Sequence, residues 1–375
     1  MKILLAPDSF KDSLSAAKVC QALEKGIHQA LSNAEIISMP LADGGEGTIE
    51  TLVRSREGHI INVEVHDPLA RKTQSSYGIV ANTAIIEMAK ASGLELLTPE
   101  ERNPLKTSTF GTGEMIRDAL DRGCRDFIIG IGGSATNDGG TGMLQALGIK
   151  FLDDEGKEIQ ARGEMLSEIE AMYTTNLDAR IKQSKIQVAC DVTNPLLGEN
   201  GASKVFARQK GADDQMIEIL ENGLIHFSEK TFELIGKDVS KVTGAGAAGG
   251  LGFGLMAYLG AELKSGFDII SEKVRLEEEI QKADLIITGE GKIDEQSRFG
   301  KVPWSVSQLG KKYNKPVICI AGQKGKVTEI EEDFEGIYCL MNEGMDIEFA
   351  KENAARLLEE KITKVLSKTC QVYYS

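Results

Sequence analysis

KILLAPDSFKDSLSAAKVCQALEKGIHQALSNAEIISMPLADGGEGT, residues 2–48, decides the fold class. It opens with a short apolar strand, Lys2–Ala6. Leu14–Leu31 then places Val19, Leu23, Ile27 and Ala30/Leu31 on one helical face, with Ser13 as the expected N-cap. AEIISMPL, residues 34–41, is a second strand, and ADGGEGT leads into a helix around Thr48–Arg54. Strand, helix, strand, helix is the pattern of a parallel sheet covered by its own crossovers.

The far end of the chain repeats this style. ADLIITGEG (283–291), KPVICIAGQ (315–323) and GIYCLMNEG (336–344) are buried-type strands with helical patterns between them. An amphipathic stretch, residues 348–368, closes the chain. The middle differs. HIINVEVHDP, SSYGIVA, AIIEMA, FIIGIGG and KIQVACDV are short strands separated by turn signals, and IKFLDDEGKEIQ reads as a hairpin around Asp154–Gly156. The simplest organisation is a doubly wound domain, residues 1–60 plus 262–375, with a mixed α/β domain, residues 61–261, inserted into it. The active site is expected in the cleft between them.

Bulk properties narrow the function. A chain of 375 residues predicts two or three domains. The net charge of −14 argues against general nucleic-acid binding, which needs a basic face. No apolar run approaches the ~18 residues needed to span a membrane. The N-terminal apolar stretch is shorter than a secretory signal core of about 7–15 residues. The six cysteines fall in no C-x-x-C pair and read as reduced and cytoplasmic. Four scattered histidines make a zinc site an unattractive reading. Glycine is the exception to an ordinary composition: forty of 375 residues, clustered into loops, where about 7% is usual.

In open α/β sheets ligands sit beyond the carboxyl ends of the strands, so the polar loops there are the candidates. PDSFKDS follows the first strand and offers Asp8, Ser9 and Lys11, a lysine that could hold phosphate as a point charge. ADGGEGT offers Asp43 with Gly44 and Gly45, glycines that permit close backbone approach. IIGIGGSATNDGGTGM, residues 128–143, offers Ser134, Thr136 and Asn137 as donors, with glycine amides at a helix start that suit an anion. Asp138 in that loop would repel an anion unless a metal or proton intervenes. CDVTNPLLGENGAS offers Asp191, Thr193 and Asn194, and RQKGAD downstream adds Arg208 and Lys210. One carboxylate beside hydroxyl and amide donors suits a general base. TGEGKIDEQSRFGK mixes Glu290 and Asp294 with Lys292, Arg298 and Lys301, a composition that suits Mg²⁺ and phosphate. Each loop also admits a plain reading as a capped turn with solvated charges.

No G-x-x-x-x-G-K-[ST] is present, which excludes a Walker-type NTPase. Gly244, Gly246 and Gly249 form a G-x-G-x-x-G, but GKDVSKVT before it is no apolar strand. It reads as a loop feeding a close-packed helix, with a nucleotide face and pure packing as alternatives.

Taken in order, APDSFKDSLSA, PLADGGEGT, GTGEMI, IGGSATNDGG, CDVTNPLLGENGAS, FARQKGAD, GAGAAGGLG and ADLIITGEGKIDEQS resemble the motif set of the bacterial glycerate kinase family of the glyoxylate and glucarate pathways. The resemblance runs over nearly the whole chain. It implies two α/β domains, one Rossmann- or flavodoxin-like and built from both chain ends. It implies transfer of the γ-phosphoryl of ATP to D-glycerate with Mg²⁺, giving 2-phosphoglycerate rather than 3-phosphoglycerate. On that basis Asp191 and Lys11 are the expected catalytic residues. Asp8, Ser9, Asp43, Ser134, Thr136, Asn137, Asp138, Thr193 and Asn194 are expected on the substrate. Gly44, Gly45, Gly244, Gly246, Gly289, Gly291 and Lys292 are expected on the nucleotide, and Glu290 and Asp294 on the metal. The family often carries arginine where this chain has Lys292, which here gives a point charge without bidentate binding. A nicotinamide-dependent oxidoreductase and a non-catalytic hydroxy-acid sensor stay open as alternatives.

Overall fold

The computed structural model describes every residue except Asp43–Gly47, Arg56, Glu57, Phe299, Glu343, Tyr374 and Ser375. The expectations placed on Asp43, Gly44 and Gly45 therefore lie outside the described residues. In chain order the strands are β1 (Lys2–Leu5), β2 (Glu35–Ser38), β3 (His59–His66), β4 (Lys72–Val80), β5 (Thr83–Glu87), β6 (Asp126–Gly130), β7 (Lys150–Leu152), β8 (Ala171–Tyr173), β9 (Lys185–Ala189), β10 (Glu262–Lys264), β11 (Leu285–Ile293), β12 (Val317–Lys324) and β13 (Gly336–Cys339).

The chain divides into two compact units. The terminal unit comprises Met1–Asp43, Glu50–Ser55 and Ser265–Ser375; the central unit comprises Gly44–Ile49 and Arg56–Lys264. The terminal unit holds a five-stranded sheet in the order β13-β12-β11-β1-β2, parallel throughout. Counted within the unit this is the flavodoxin-like order 2-1-3-4-5. Both faces are covered, as a parallel sheet requires. Ile3, Leu5, Ile287, Ile318 and Ile320 pack against Val19, Leu23 and Ile27 of the Ala16–Ala30 helix and Leu358 and Ile362 of the Ala354–Tyr373 helix. Alternate strand residues Leu4, Ile286 and Cys319 are equally buried on the other face. That two-sided burial is why β1 reads as an unbroken apolar run.

Two local expectations are corrected. Ser13 does not cap the first helix: Phe10 and Leu14 pair across a tight turn with Asp12 at φ +59°, so the helix begins at Ala16 with Ser15 in the cap position. Ser13 Oγ instead donates to the Lys351 carbonyl at 2.7 Å. The turn at Asp153–Lys157 closes, but its return arm contributes only the Leu152–Glu158 bridge, and the ladder partner of β7 is β8.

The central unit holds a mixed six-stranded sheet in the order β10-β9-β6-β5-β4-β3. β10, β9, β6 and β5 are parallel; β4 and β3 continue antiparallel. Glu87, Gly130 and Ala189 form one row across β5, β6 and β9, so the segments that leave these strands start side by side. Among the described residues no helix is long and apolar enough to cross a membrane.

Candidate functional site

In the 2-1-3-4-5 order the strand sequence reverses between β1 and β11, and ligands bind at such a switch point. The β1 loop carries Asp8, Ser9 and Lys11, and β11 carries Glu290. They are tied by backbone: the Asp8 amide donates to the Gly289 carbonyl at 2.8 Å. A side chain on Gly291 would stand 3.4 Å from the Lys11 amide nitrogen, an ordinary contact distance, so the β1 loop lies against β11 here. The Ser9 amide donates to Asp8 Oδ1 at 2.6 Å, and Lys11 is exposed. Gly289 faces its sheet neighbour, with the Ile320 carbonyl where a side chain would go.

Glu290 is buried, which pushes its carboxyl up. Two partners oppose that shift: Lys301 Nζ lies 3.4 Å from Oε2, and Ser297 Oγ donates to Oε1 at 2.7 Å. Ser297 Oγ in turn accepts from the Asp294 amide at 3.2 Å, so one buried hydroxyl links the two acidic positions. Burial pushes the Asp294 carboxyl up, but Lys292 Nζ at 3.1 Å and the more distant Lys301 outweigh it and hold it below the usual range. Among the described residues no group of three or more His, Cys, Asp and Glu could cage a metal. Two hard carboxylates flanked by lysines instead fit the sparse kind of Mg²⁺ site, in which phosphate oxygens and waters complete the shell.

The central unit arranges its candidates at the carboxyl ends of β6 and β9. Ser134 pairs with Gly93, and its Oγ accepts from Lys210 Nζ at 2.8 Å. Lys210 Nζ also donates to the Thr136 carbonyl at 2.7 Å. Lys210 is only 2% exposed, and burial draws its ammonium down to about 7, with Asp138 opposing the shift. Asn137 Nδ2 donates to Ser203 Oγ at 3.2 Å. Thr136 Oγ1 and Asn137 Oδ1 are buried with no hydrogen-bond partner among the described residues.

Asp138 differs from its expected role on the substrate. It is fully buried, and its carboxylate is taken up inside the protein. Thr109 donates twice to Oδ2, from N and Oγ1, at 2.8 Å each; Gly142 N adds a third bond at 3.2 Å, and Gly140 N donates to Oδ1 at 3.1 Å. Burial pushes this carboxyl up and the four donors oppose it. The helix-start amides expected to receive an anion thus already hold one, their own aspartate. The Gly139 amide is also used, donating to the Gly249 carbonyl at 3.0 Å.

Gly244 and Gly246, expected to face a nucleotide, face protein. A side chain on Gly246 would meet the Pro195 carbonyl oxygen, and one on Gly244 would stand 2.7 Å from Leu263 Cδ2. Gly249 leaves room for the Thr136 carbonyl. These glycines let three backbones pack together, which removes the one sequence feature that favoured a nicotinamide enzyme. Asp191 and Thr193 are exposed beyond the end of β9. Asn194 is half-buried and bonded within the protein: its Nδ2 donates to the Asn200 carbonyl at 2.8 Å, and its carbonyl accepts from the Gly246 amide at 3.0 Å.

Thr109 is a residue that the loop patterns did not name, and Lys210 one whose partners they did not give. The lysine was visible in FARQKGAD, but only as a supply of charge.

Comparison with known proteins identifies the family. Residues 3–370 match the glycerate kinase family. The chain is 53% identical over 324 residues to a protein of Escherichia coli K12 named glycerate 2-kinase, covering 86% of this chain and 85% of that one. It is 45% identical to a glycerate kinase of Bacillus subtilis 168, covering 96% and 95%. A crystal structure of a Salmonella typhimurium LT2 protein assigned as a glycerate kinase 2 superposes with a TM-score of 0.92 at 44% identity, covering both chains fully. The chain therefore belongs to the glycerate kinase family and is a phosphotransferase.

Proposed function

We propose that the chain transfers the γ-phosphoryl group of ATP to D-glycerate, with Mg²⁺, and forms 2-phosphoglycerate. The observation that carries this reading is the linked pair Glu290 and Asp294, each with its own lysine, at the switch point of a flavodoxin-like sheet. Phosphoryl transfer asks little of a protein beyond positioning and charge stabilisation, and this arrangement supplies both. Glu290 and Asp294 would hold Mg²⁺, directly or through water. The metal, when bound, neutralises developing charge on the transferred phosphate. Lys11 adds positive charge to the same oxygens, with Lys292 as a further phosphate contact. Asp8 and Ser9, on the same loop as Lys11, remain candidates for the substrate.

In the central unit, Ser134, Thr136 and Asn137 hold the carboxylate and hydroxyls of glycerate. Asp191 accepts the proton of the attacking hydroxyl, with Thr193 beside it. The name of the Escherichia coli relative, glycerate 2-kinase, supports the 2-hydroxyl as the acceptor. A free cytoplasmic metabolite is the substrate in this reading, with no nucleic-acid or membrane partner.

The test is to incubate the protein with ATP, Mg²⁺ and D-glycerate and follow the product by proton-coupled ³¹P NMR. A phosphate on the 2-hydroxyl is split by one neighbouring proton into a doublet; on the 3-hydroxyl, two protons give a triplet. Absence of glycerate-dependent ATP consumption would overturn the function, and a triplet would overturn the regiochemistry.

A further inference from the structure

Among the described residues Lys210 is the one buried lysine in the central unit, and its chemistry reaches Ser134 through a single contact. Its turn, Arg208–Lys210, brings Nζ back across 76 residues of sequence to Ser134 Oγ at 2.8 Å and across 74 to the Thr136 carbonyl at 2.7 Å. An ammonium group has donors only, and a backbone carbonyl only accepts. With Lys210 in its ammonium form, Ser134 Oγ is therefore the acceptor of that bond. The Ser134 hydroxyl hydrogen must then be given to something else. Among the described residues no acceptor takes it. Asp138 could have competed for the lysine, but its two oxygens are turned to Thr109, Gly140 and Gly142.

We propose that Lys210 is a positioning residue that presets Ser134 as a hydrogen-bond donor to the substrate carboxylate, so that the Ser134–Asn137 segment selects an α-hydroxy carboxylate over its uncharged amide. This rests on the reading above, in which that segment takes glycerate. A donor whose own oxygen is bonded to a cation is polarised, and its bond to a carboxylate is charge-assisted. The lysine also fixes the Thr136 carbonyl, which holds the backbone of the segment in register behind the donor. An uncharged analogue gains less from such a donor, so discrimination between acid and amide reports the arrangement directly.

The experiment measures KM and kcat for D-glycerate at pH 6, where Lys210 carries its proton. It also measures the dissociation constants of D-glycerate and D-glyceramide by calorimetry. The wild-type protein is expected to prefer the acid. In Lys210→Met and in Ser134→Ala that preference falls at least tenfold, KM for glycerate rises by the same factor, and KM for ATP stays within twofold. The double variant adds little to either single one, because both act through the same hydrogen bond to the substrate. Ser134→Thr, which keeps the hydroxyl, restores most of the preference. If Lys210→Met does not fold, the Ser134→Ala and Ser134→Thr pair still decides the matter through the acid-to-amide ratio. An unchanged ratio in Ser134→Ala, with wild-type turnover of glycerate intact, overturns the proposal and leaves Lys210 a purely structural residue. No turnover by the wild-type protein would overturn the functional reading itself.

Discussion

The buried lysine makes a prediction about stability that needs no substrate. Burial draws Lys210 from its ordinary 10.5 to about 7, with Asp138 partly offsetting the effect. Below pH 7 the lysine is protonated in both the folded and the unfolded chain, and the desolvation penalty is fully present. Between pH 7 and 10.5 the unfolded chain binds the proton and the folded chain does not, so stability must rise with pH. Each pH unit is worth up to about 1.4 kcal/mol, and the whole window at most about 5 kcal/mol. Lys210→Met removes the titrating group and keeps most of the volume. The free energy of unfolding of the wild type minus that of the variant should rise by about 3 kcal/mol between pH 7 and 9.5. Groups that titrate in both proteins cancel in the difference. Urea denaturation followed by far-ultraviolet circular dichroism is the suitable assay. The single tryptophan, Trp304, sits in the terminal unit and would report the wrong part of the chain. A difference that stays flat across the window would show that Lys210 keeps its proton in the folded state, and the burial argument would fail.

Further outcomes are expected. Gly246→Ala should destabilise the protein by about 2–4 kcal/mol, because the new methyl meets the Pro195 carbonyl, which is backbone and cannot swing away. Gly156→Ala, with open space around it but φ +77°, should cost only about 1–2 kcal/mol, and thermal melts of the two variants compare them. Asp191→Asn should lower kcat by roughly 10²–10⁴ while the circular dichroism spectrum is unchanged; near-normal turnover would remove it as the base. Glu290→Gln should raise the Mg²⁺ concentration needed for half-maximal rate about tenfold or more and leave KM for glycerate unmoved, as a magnesium titration would read. Because burial raises the Glu290 carboxyl, the folded chain holds that proton to higher pH than the unfolded chain. Its ionisation therefore costs stability as pH climbs above about 4.5, and Glu290→Gln should flatten that fall in urea titrations.

Much of the terminal unit was legible because its periodicities are local. β1, the first helix and β2 each announce themselves within a dozen or so residues, and a parallel sheet buried on both faces leaves long apolar runs. β8 was invisible for the opposite reason: Ala171–Tyr173 is too short to show a period. The acidic and basic residues at the end of β11 and just beyond it stood out because mixed charge closing a buried strand is unusual in itself. Lys210 was named only as a charge beside Arg208, because lysine is ordinarily a surface residue and only the folded chain brings it to Ser134. The glycines at 244, 246 and 249 misled because sequence shows that space is needed above a backbone, not what fills it. Asp138 misled in the same way: its charge was plain, but the donors of Thr109 that satisfy it lie 29 residues away.

The strand order of the terminal sheet also bears on how the chain is made. β1 lies between β2 and β11, and the Lys2 amide bonds Asp284, 282 residues later. At about 5–20 residues per second of synthesis, the first strand waits roughly 15–60 s for its second neighbour. During that interval Ile3, Leu4 and Leu5, all fully buried in the finished protein, have only half of their sheet. The whole of the central unit is synthesised within the wait. Strand β1 thus stays half-paired through that interval, and the last hundred or so residues act as the clasp that completes its sheet.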